Sequence, residues 1–349
     1  MTRIAAVRSA FPPNRYPQAE LTDAQAGLSH LDAGQRALQQ RLHQNSGVRT
    51  RHLALPIDQY GSLREFGAAN DRYLEVATEL GAAAITSALQ ASGRTAPDVD
   101  LLMVTSVTGV AVPSLDALLI PRLGLRTDIR RVPIFGLGCV AGAAGLARLH
   151  DYLLGRPDHT AVLLAIELCS LTWPRGDATT ADLVACGLFG DGSAAVVATG
   201  DRDRSGPHVV DSRSEVIPAS SGALGWRLAS NGFRIVLTTE LAVAIERNLR
   251  PLVLHFLGAH HLTSHDIARW VCHPGGPKVL DVVESCLGLP RPALALSRRS
   301  LAEAGNLSSV SVLHILEQTL AAEAPPPDSF GLMIGLGPGV SVELVLLRW

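Results

Sequence analysis

Lysine is nearly missing from this chain: Lys278 is the single one among 30 lysine and arginine residues. Coding bias explains a general preference for arginine, so the scarcity carries no functional meaning by itself. The charges nearly cancel, at −2 overall, with a pI near 6.6. That balance lacks the basic excess that would hold nucleic acid or an anionic membrane surface, and neither partner is expected. Cysteine is also sparse. The five residues are odd in number and show no Cys-x-x-Cys spacing, which argues against a disulfide framework and against a zinc knuckle. They read as reduced thiols. No uninterrupted apolar run approaches the length of a membrane span. Met1 to Arg8 carries charge at Arg3 and Arg8, too early for a signal-peptide core. These absences lead to the expectation of a cytoplasmic protein without a membrane span.

The chain does have apolar mass. Its 349 residues are 47% hydrophobic, long for one compact core and well suited to two fused halves. Strand-like runs at 101–107, 132–135, 162–166, 194–198, 235–237, 270–272, 331–334 and 340–347 alternate with alanine-rich helical segments. The helical segments are read at 73–92, 140–154, 239–257, 278–286 and 309–322. Such alternation predicts an α/β architecture. The polar stretch from Gly200 to Pro207 predicts a boundary, dividing 1–203 from 204–349. Leu188 to Ser193 ahead of one apolar strand resembles Gly335 to Gly339 ahead of another, which suggests a weak internal repeat.

Three short motifs carry reactive side chains. Cys139 lies in Gly-Leu-Gly-Cys-Val-Ala-Gly between a β-rich run and a small-residue helix. A sulfur there would face the helix N-terminus, where unpaired N–H groups favour thiolate and lower the thiol pKa. His273 ends an apolar strand in His-Pro-Gly-Gly-Pro, at the edge where α/β sheets place their ligand crevices. It would pair ionically with a thiolate and donate to a thioester carbonyl. Asn306, in Gly-Asn-Leu-Ser-Ser, offers an amide donor that stays uncharged at every working pH. Taken singly, these residues also read as a core cysteine, a structural strand-end histidine and a helix cap. Taken together, they equip a chain for thioester chemistry.

Other clusters say less. His260, His261 and His265 have a spacing that could be mistaken for a metal site, but Thr263 and Asp266 read as the capping pair of a helix start. No metal is expected. Cys169, Cys186, Cys272 and Cys286 fall in or beside apolar segments and read as packing residues. The Gly335-Leu336-Gly337-Pro338-Gly339 loop precedes a strand, which removes the context of a nucleotide-binding loop. No cofactor is expected.

The motifs around Cys139, Phe189 (Leu-Phe-Gly-Asp-Gly), His273, Asn306 and Gly335 to Gly339 occur in a shared order. In that order the chain resembles type III polyketide synthases of the chalcone synthase superfamily, over nearly its whole length. The resemblance implies a thiolase-like fold, with two related βαβ halves in an αβαβα layering, and a homodimer. It implies that Cys139 accepts an acyl group from an acyl-CoA starter while His273 and Asn306 hold the thioester oxygen. Malonyl-CoA would then extend the chain by decarboxylative condensation, and cyclisation would give a pyrone or resorcinol-type product, with no cofactor besides these CoA substrates. Phe189 would gate the substrate tunnel, Thr172 and Ser308 would shape the cavity, and Gly335, Gly337, Pro338 and Gly339 would form a cyclisation-pocket loop.

Departures from the family pattern bear on the product. Around Leu38, Arg41 and Asn45 only Arg41 keeps a base of the family's CoA-phosphate set, with Lys278 as a partner across the tunnel. Val112 falls where the family projects a residue across the dimer interface, and its small size implies a roomier cavity that suits a fatty acyl starter and alkylpyrone or alkylresorcinol products. Two rivals use the same equipment differently. One is a single-condensation ketoacyl synthase of fatty-acid initiation, and the other a non-catalytic acyl-CoA-binding pathway partner.

Overall fold

Two strands have no polar face. Thr160–Leu168 and Asp191–Thr199 are buried at every position, which a sheet allows where other layers cover both of its sides. The computed structural model describes residues 2–174, 176–200, 206–229, 232–322 and 325–349. In chain order the strands are β1 (Thr2–Ala10), β2 (Asn14–Pro17), β3 (Thr50–Leu53), β4 (Val99–Thr105), β5 (Arg130–Ile134), β6 (Thr160–Leu168) and β7 (Asp191–Thr199). They continue with β8 (His208–Val216), β9 (Leu224–Ala229), β10 (Gly232–Leu237), β11 (Ile267–Cys272), β12 (Phe330–Gly337) and β13 (Ser341–Arg348).

The described strands form a nine-stranded sheet ordered β11-β12-β13-β8-β1-β7-β6-β4-β5, with β9/β10 and β2/β3 as separate antiparallel pairs. The long sheet contains the same arrangement twice. From β4 through β6 and β7 to β1 the pairings run parallel, antiparallel, antiparallel. From β11 through β12 and β13 to β8 they run parallel, antiparallel, antiparallel again. Only β5 lacks a counterpart in this order. The join between the copies is slight: among the described residues β1 meets β8 at Thr2 with Val209 and Arg3 with His208. The two segments that resemble one another in sequence lead into β7 and β13, which occupy equivalent places.

Apolar packing explains the layering. Leu146, Leu149, Val312 and Leu316 of the helices Ala141–Gly155 and Val310–Ala321 share one core with Leu163 of β6 and Met333 of β12. These two helices therefore form the middle layer. Tyr73, Ala77 and Ile85 of the helix Phe66–Ala91 cover the outer side of the first sheet region. Ile245, Leu249, Leu280 and Val283 of the helices Glu240–Ala259 and Pro277–Leu287 cover the second. The result is the αβαβα layering of the thiolase-like fold. The predicted boundary at 203 and 204 lies outside the described residues, and no helix among the described residues is long and apolar enough to cross a membrane.

Most predicted elements are found with ends displaced by a few residues, and the differences have physical causes. The N-terminal stretch is β1, set between β7 and β8, because Arg3 and Arg8 lie at its partly exposed positions while Ile4 and Val7 point into the core. The Thr263–Asp266 capping pair does form, yet it closes a single 3₁₀ turn, Ser264–Asp266, that enters strand β11 instead of a helix. His260 is drawn to Asp211, with Nε2 2.9 Å from Oδ2.

The middle layer is packed to backbone contact. A Cβ on Gly142 would lie 2.1 Å from the carbonyl oxygen of Ser309 and 2.9 Å from Val312 Cγ2. Gly142→Ala should therefore reverse the usual helical gain of about 1 kcal/mol for alanine over glycine. Overpacking costs about 1–3 kcal/mol, so the thermal midpoint should fall. A variant more stable than the parent would refute this account of the helix contact.

Candidate active site

Cys139 reaches its place through a loop rather than directly from strand to helix. After β5 the chain turns through Gly136 (φ 96°) and Gly138 (φ 57°), both in the left-handed region that favours glycine. Cys139 then sits in a 3₁₀ turn, Gly138–Val140, just ahead of the buried helix. A Cβ on Gly138 would lie 2.5 Å from Pro338 Cγ, so the turn rests on the loop between β12 and β13. The Cys139 sulfur lies 3.4 Å from Ser308 Oγ.

A buried acidic centre stands behind that contact. Glu167, near the end of β6, accepts hydrogen bonds from Ser309 Oγ (2.7 Å), Thr108 Oγ1 (2.9 Å), Val107 N (3.1 Å) and Ser308 Oγ (3.3 Å). Burial pushes its pKa upward, and those donors oppose the shift. A hydroxyl has one proton to give. The Ser308 proton can turn to either neighbour, Glu167 Oε1 at 3.3 Å or the Cys139 sulfur at 3.4 Å. Ser308 holds this place in a left-handed conformation (φ 51°), unusual for a side-chain-bearing residue.

Asn306 is bound to the Phe189 segment on both sides of its backbone. Its N–H donates to Leu188 O at 2.8 Å, and its carbonyl accepts from Gly190 N at 3.0 Å, so Phe189 and Asn306 form a parallel bridge. Its side chain faces two ways: Oδ1 accepts from Ser308 N at 2.8 Å, and Nδ2 donates to Gly275 O at 3.4 Å. The next helix begins only at Val310, so Asn306 is a loop residue and not a helix cap. His273 follows β11 directly, with its N–H bonded to Ile334 O of β12 at 2.9 Å. Its imidazole is buried, and Nδ1 has no protein partner.

Electrostatics corrects one expectation. Burial pushes the Cys139 thiol up to about 12; the Ser308 hydrogen bond opposes this, and the nearby Glu167 charge adds to it. Burial alone lowers His273 to about 4. The resting site therefore holds a neutral thiol and a neutral imidazole, not a thiolate made by a helix N-terminus and paired with imidazolium. Desolvation is the largest influence on each of them.

The remaining predicted residues divide. Thr172 and Phe189 line a common cavity of about 20 Å³ with Cys169, Cys186, Trp226 and Ile235. Phe233 joins Thr172 around an adjoining space of about 10 Å³. Cys169 and Cys186, read as packing residues, are buried and also border this space. Val112 does not line either space. It is fully exposed, at 102%, and borders a separate open groove of about 510 Å³ that includes Phe135.

Gly335 and Gly337 belong to β12 itself, where added Cβ atoms would lie 2.8 Å from Ala143 Cβ and 2.7 Å from Val140 Cβ. Their role is to admit the cysteine turn; Pro338 and Gly339 make the loop beyond. Arg41 and Lys278 are both exposed. The segments that carry them approach one another, since a Cβ on Gly47 would lie 3.9 Å from Pro277 Cβ.

Glu167, Trp226 and Phe233 were not found by reading the sequence. Glu167 had a signal, as the lone charge in an otherwise apolar strand, Thr-Ala-Val-Leu-Leu-Ala-Ile-Glu-Leu. So did the hairpin β9/β10, which concentrates two rings in a chain with only 4% aromatics.

Residues 1–202 match the family "Chalcone and stilbene synthases, N-terminal domain", and residues 208–349 match its C-terminal domain. A 1,3,6,8-tetrahydroxynaphthalene synthase of Streptomyces peucetius subsp. caesius is 53% identical over 100% of this chain and 93% of its own length. The enzyme of that name from Streptomyces coelicolor is 34% identical over 98% of this chain and 91% of its own length. The crystal structure of 1,3,6,8-tetrahydroxynaphthalene synthase from Streptomyces coelicolor A3(2), a bacterial type III polyketide synthase, superposes with a TM-score of 0.94 at 31% identity, covering 99% of each chain. The site, the repeated sheet and these likenesses agree: the chain belongs to the chalcone and stilbene synthase family and is a type III polyketide synthase.

Proposed function

We propose that this synthase uses malonyl-CoA as both starter and extender and releases 1,3,6,8-tetrahydroxynaphthalene. The observation that carries the reading is the 53% identity, along the whole chain, to a synthase named for that product. The product's ten carbons correspond to five two-carbon units, leaving no place for a starter that contributes a longer chain. The balance closes: five malonyl-CoA lose five CO2, five CoA and one water to give C10H8O4. A two-carbon unit replaces the fatty acyl starter as the preferred reading.

In this reading Cys139 is the nucleophile. Its proton passes to neutral His273 as the sulfur attacks the thioester carbonyl, and the departing CoA sulfur takes a proton in turn. His273 and Asn306 then hold the oxygen on which charge gathers as malonyl-CoA loses CO2 and its enolate attacks the acyl group on Cys139. Buried, prealigned donors are effective there because little water competes for the developing charge. Phe189 and Thr172 border the growing chain, and exposed Arg41 and Lys278 meet the CoA phosphates. The chain functions as a homodimer, with the groove of Val112 and Phe135 at the interface. Exposed apolar side chains at Val110, Val112, Val132, Phe135 and Leu137 favour this surface for contact with a second copy.

Three outcomes test the reading. Mass spectrometry of the purified protein with malonyl-CoA alone should detect tetrahydroxynaphthalene, and Cys139→Ala should make none. His273→Gln or Asn306→Ala should lower kcat about 10²–10³-fold, as loss of a buried oxyanion donor does. Product formed only when a long-chain acyl-CoA is supplied would overturn the starter assignment. In the second test, kcat/KM is followed against pH. His273 must be neutral to accept the thiol proton, and with its pKa lowered to about 4 it is already neutral above about pH 5. The profile should have no acid limb near 6.5, and a limb there that disappears in His273→Gln would contradict the buried neutral imidazole. In the third, Phe135→Asp should convert a dimer to monomers in sedimentation equilibrium, and an unchanged mass would remove the groove from the interface.

A further inference from the structure

The helix Thr180–Leu188 leads into the gate, and its end is unusual. Phe189 leaves it in an extended conformation (φ −79°, ψ 136°), without the left-handed glycine that often closes a helix. The last carbonyls of a helix have no partners within it and must find them elsewhere. Here successive carbonyls are taken by groups from distant parts of the chain. Gln25 Nε2 donates to Cys186 O (3.0 Å), Gln18 Nε2 to Gly187 O (2.8 Å), Asn306 N to Leu188 O (2.8 Å) and Arg51 Nη1 to Phe189 O (2.7 Å). Arg51 and Gln18 are themselves joined, with Arg51 Nε donating to Gln18 Oε1 at 3.0 Å.

Arg51 lies on β3 and is fully buried. Its stem fills the point where the gate segment and the asparagine loop meet. A Cβ on Gly305 would lie 3.0 Å from Arg51 Cδ and 2.7 Å from Leu188 O, and one on Gly190 would lie 2.2 Å from Ala304 O and 3.6 Å from Arg51 Cβ. Glycine on both loops lets them approach, and the guanidinium binds the carbonyl at their crossing. Asp191, also buried, lies close enough for its charge to oppose the loss of the Arg51 charge. Nη2 has no protein partner. Buried ion pairs are often replaced by apolar groups without loss of stability. An incompletely paired guanidinium is thus a poor choice for filling space alone, whereas a planar donor fork can fix two acceptors in one geometry.

We propose that Arg51, braced by Gln18, is a positioning residue that holds the Phe189 carbonyl and, through the Phe189–Asn306 bridge, sets the asparagine amide against the reacting thioester. It rests on the synthase reading for its effect on catalysis, though not for its effect on the loops. With Arg51 in place, the enolate forms where the acyl group on Cys139 can intercept it. Without it, the loops separate slightly, and the enolate is protonated before condensation. The stray reaction is balanced: malonyl-CoA and a proton give acetyl-CoA and CO2.

The test compares Arg51→Met, Arg51→Lys and Gln18→Leu in the full chain by two independent readouts. The first is the ratio of acetyl-CoA released to polyketide formed from malonyl-CoA. We expect it to rise at least fivefold in Arg51→Met and less in Arg51→Lys, which keeps one donor for Phe189 O, with KM for malonyl-CoA within twofold of the parent. The second is hydrogen–deuterium exchange, where the Gly190 and Asn306 amides should lose protection while peptides from β6 and β12 keep theirs. A folded Arg51→Met with the parental ratio and parental exchange overturns the assignment. If Arg51→Met does not fold, a folded Gln18→Leu unchanged by both measures overturns it equally. Absence of any polyketide from the parent enzyme would instead defeat the synthase reading, and the exchange result would still decide the role of Arg51 in holding the loops.

Discussion

Backbone contact at a few glycines is the constraint on which this site depends. Gly138 meets Pro338, Gly337 meets Val140, Gly142 meets the Ser309 carbonyl, and Gly305 meets the Leu188 carbonyl. Each contact joins segments far apart in the sequence, and several join one copy of the repeated sheet to the other. A side chain at any of these points would separate the loops by an atom's width. The duplicated fold supplies a rigid frame, with its two buried helices packed face to face, but the frame alone would leave the cysteine and asparagine loops apart from the segments they pack on. The absent Cβ atoms let them close onto one another.

That closeness determines the electrostatics. The loops leave little water around Cys139 and His273, and both groups remain in their uncharged forms because neither can meet the cost of charge in such surroundings. Glu167 is the contrasting case. It is buried as completely, and burial still raises its pKa, yet it is surrounded by hydroxyl and amide donors that oppose that shift. The site therefore keeps its prepared polarity on the Glu167–Ser308 side and leaves the Cys139–His273 side low in charge until a substrate brings it. For a reaction whose charge appears on a thioester oxygen, this arrangement spends little stabilisation on the resting state and more on the reacting one.

The alternation of helices and strands, the duplicated order and the principal motifs were legible in sequence because each rests on local pattern. Apolar strands such as β6 and β7 announce themselves as runs, and Gly-x-Gly-Cys or His-Pro-Gly-Gly-Pro mark turns that few other residues allow. Position in space was less legible. β1 contains two arginines and reads as a charged terminus, although its alternate residues place it inside the sheet. The protonation of Cys139 was misjudged because helix proximity is visible in sequence and desolvation is not. The size of Val112 can be read from one letter, but its full exposure on the open groove with Phe135 cannot.

Arg51 shows the same limit from the other side. In sequence it is one arginine among many, two residues from exposed Arg49, with no motif around it. Its importance arises only when the end of the helix Thr180–Leu188 is examined for the partners of its carbonyls. The governing quantity in such a site is geometric: a carbonyl needs a donor, the donor must be rigid, and its stem must fit between two glycine loops. Those demands single out a side chain that no local pattern marks, and they tie the N-terminal segment, the gate and the asparagine loop into one unit whose parts cannot shift independently.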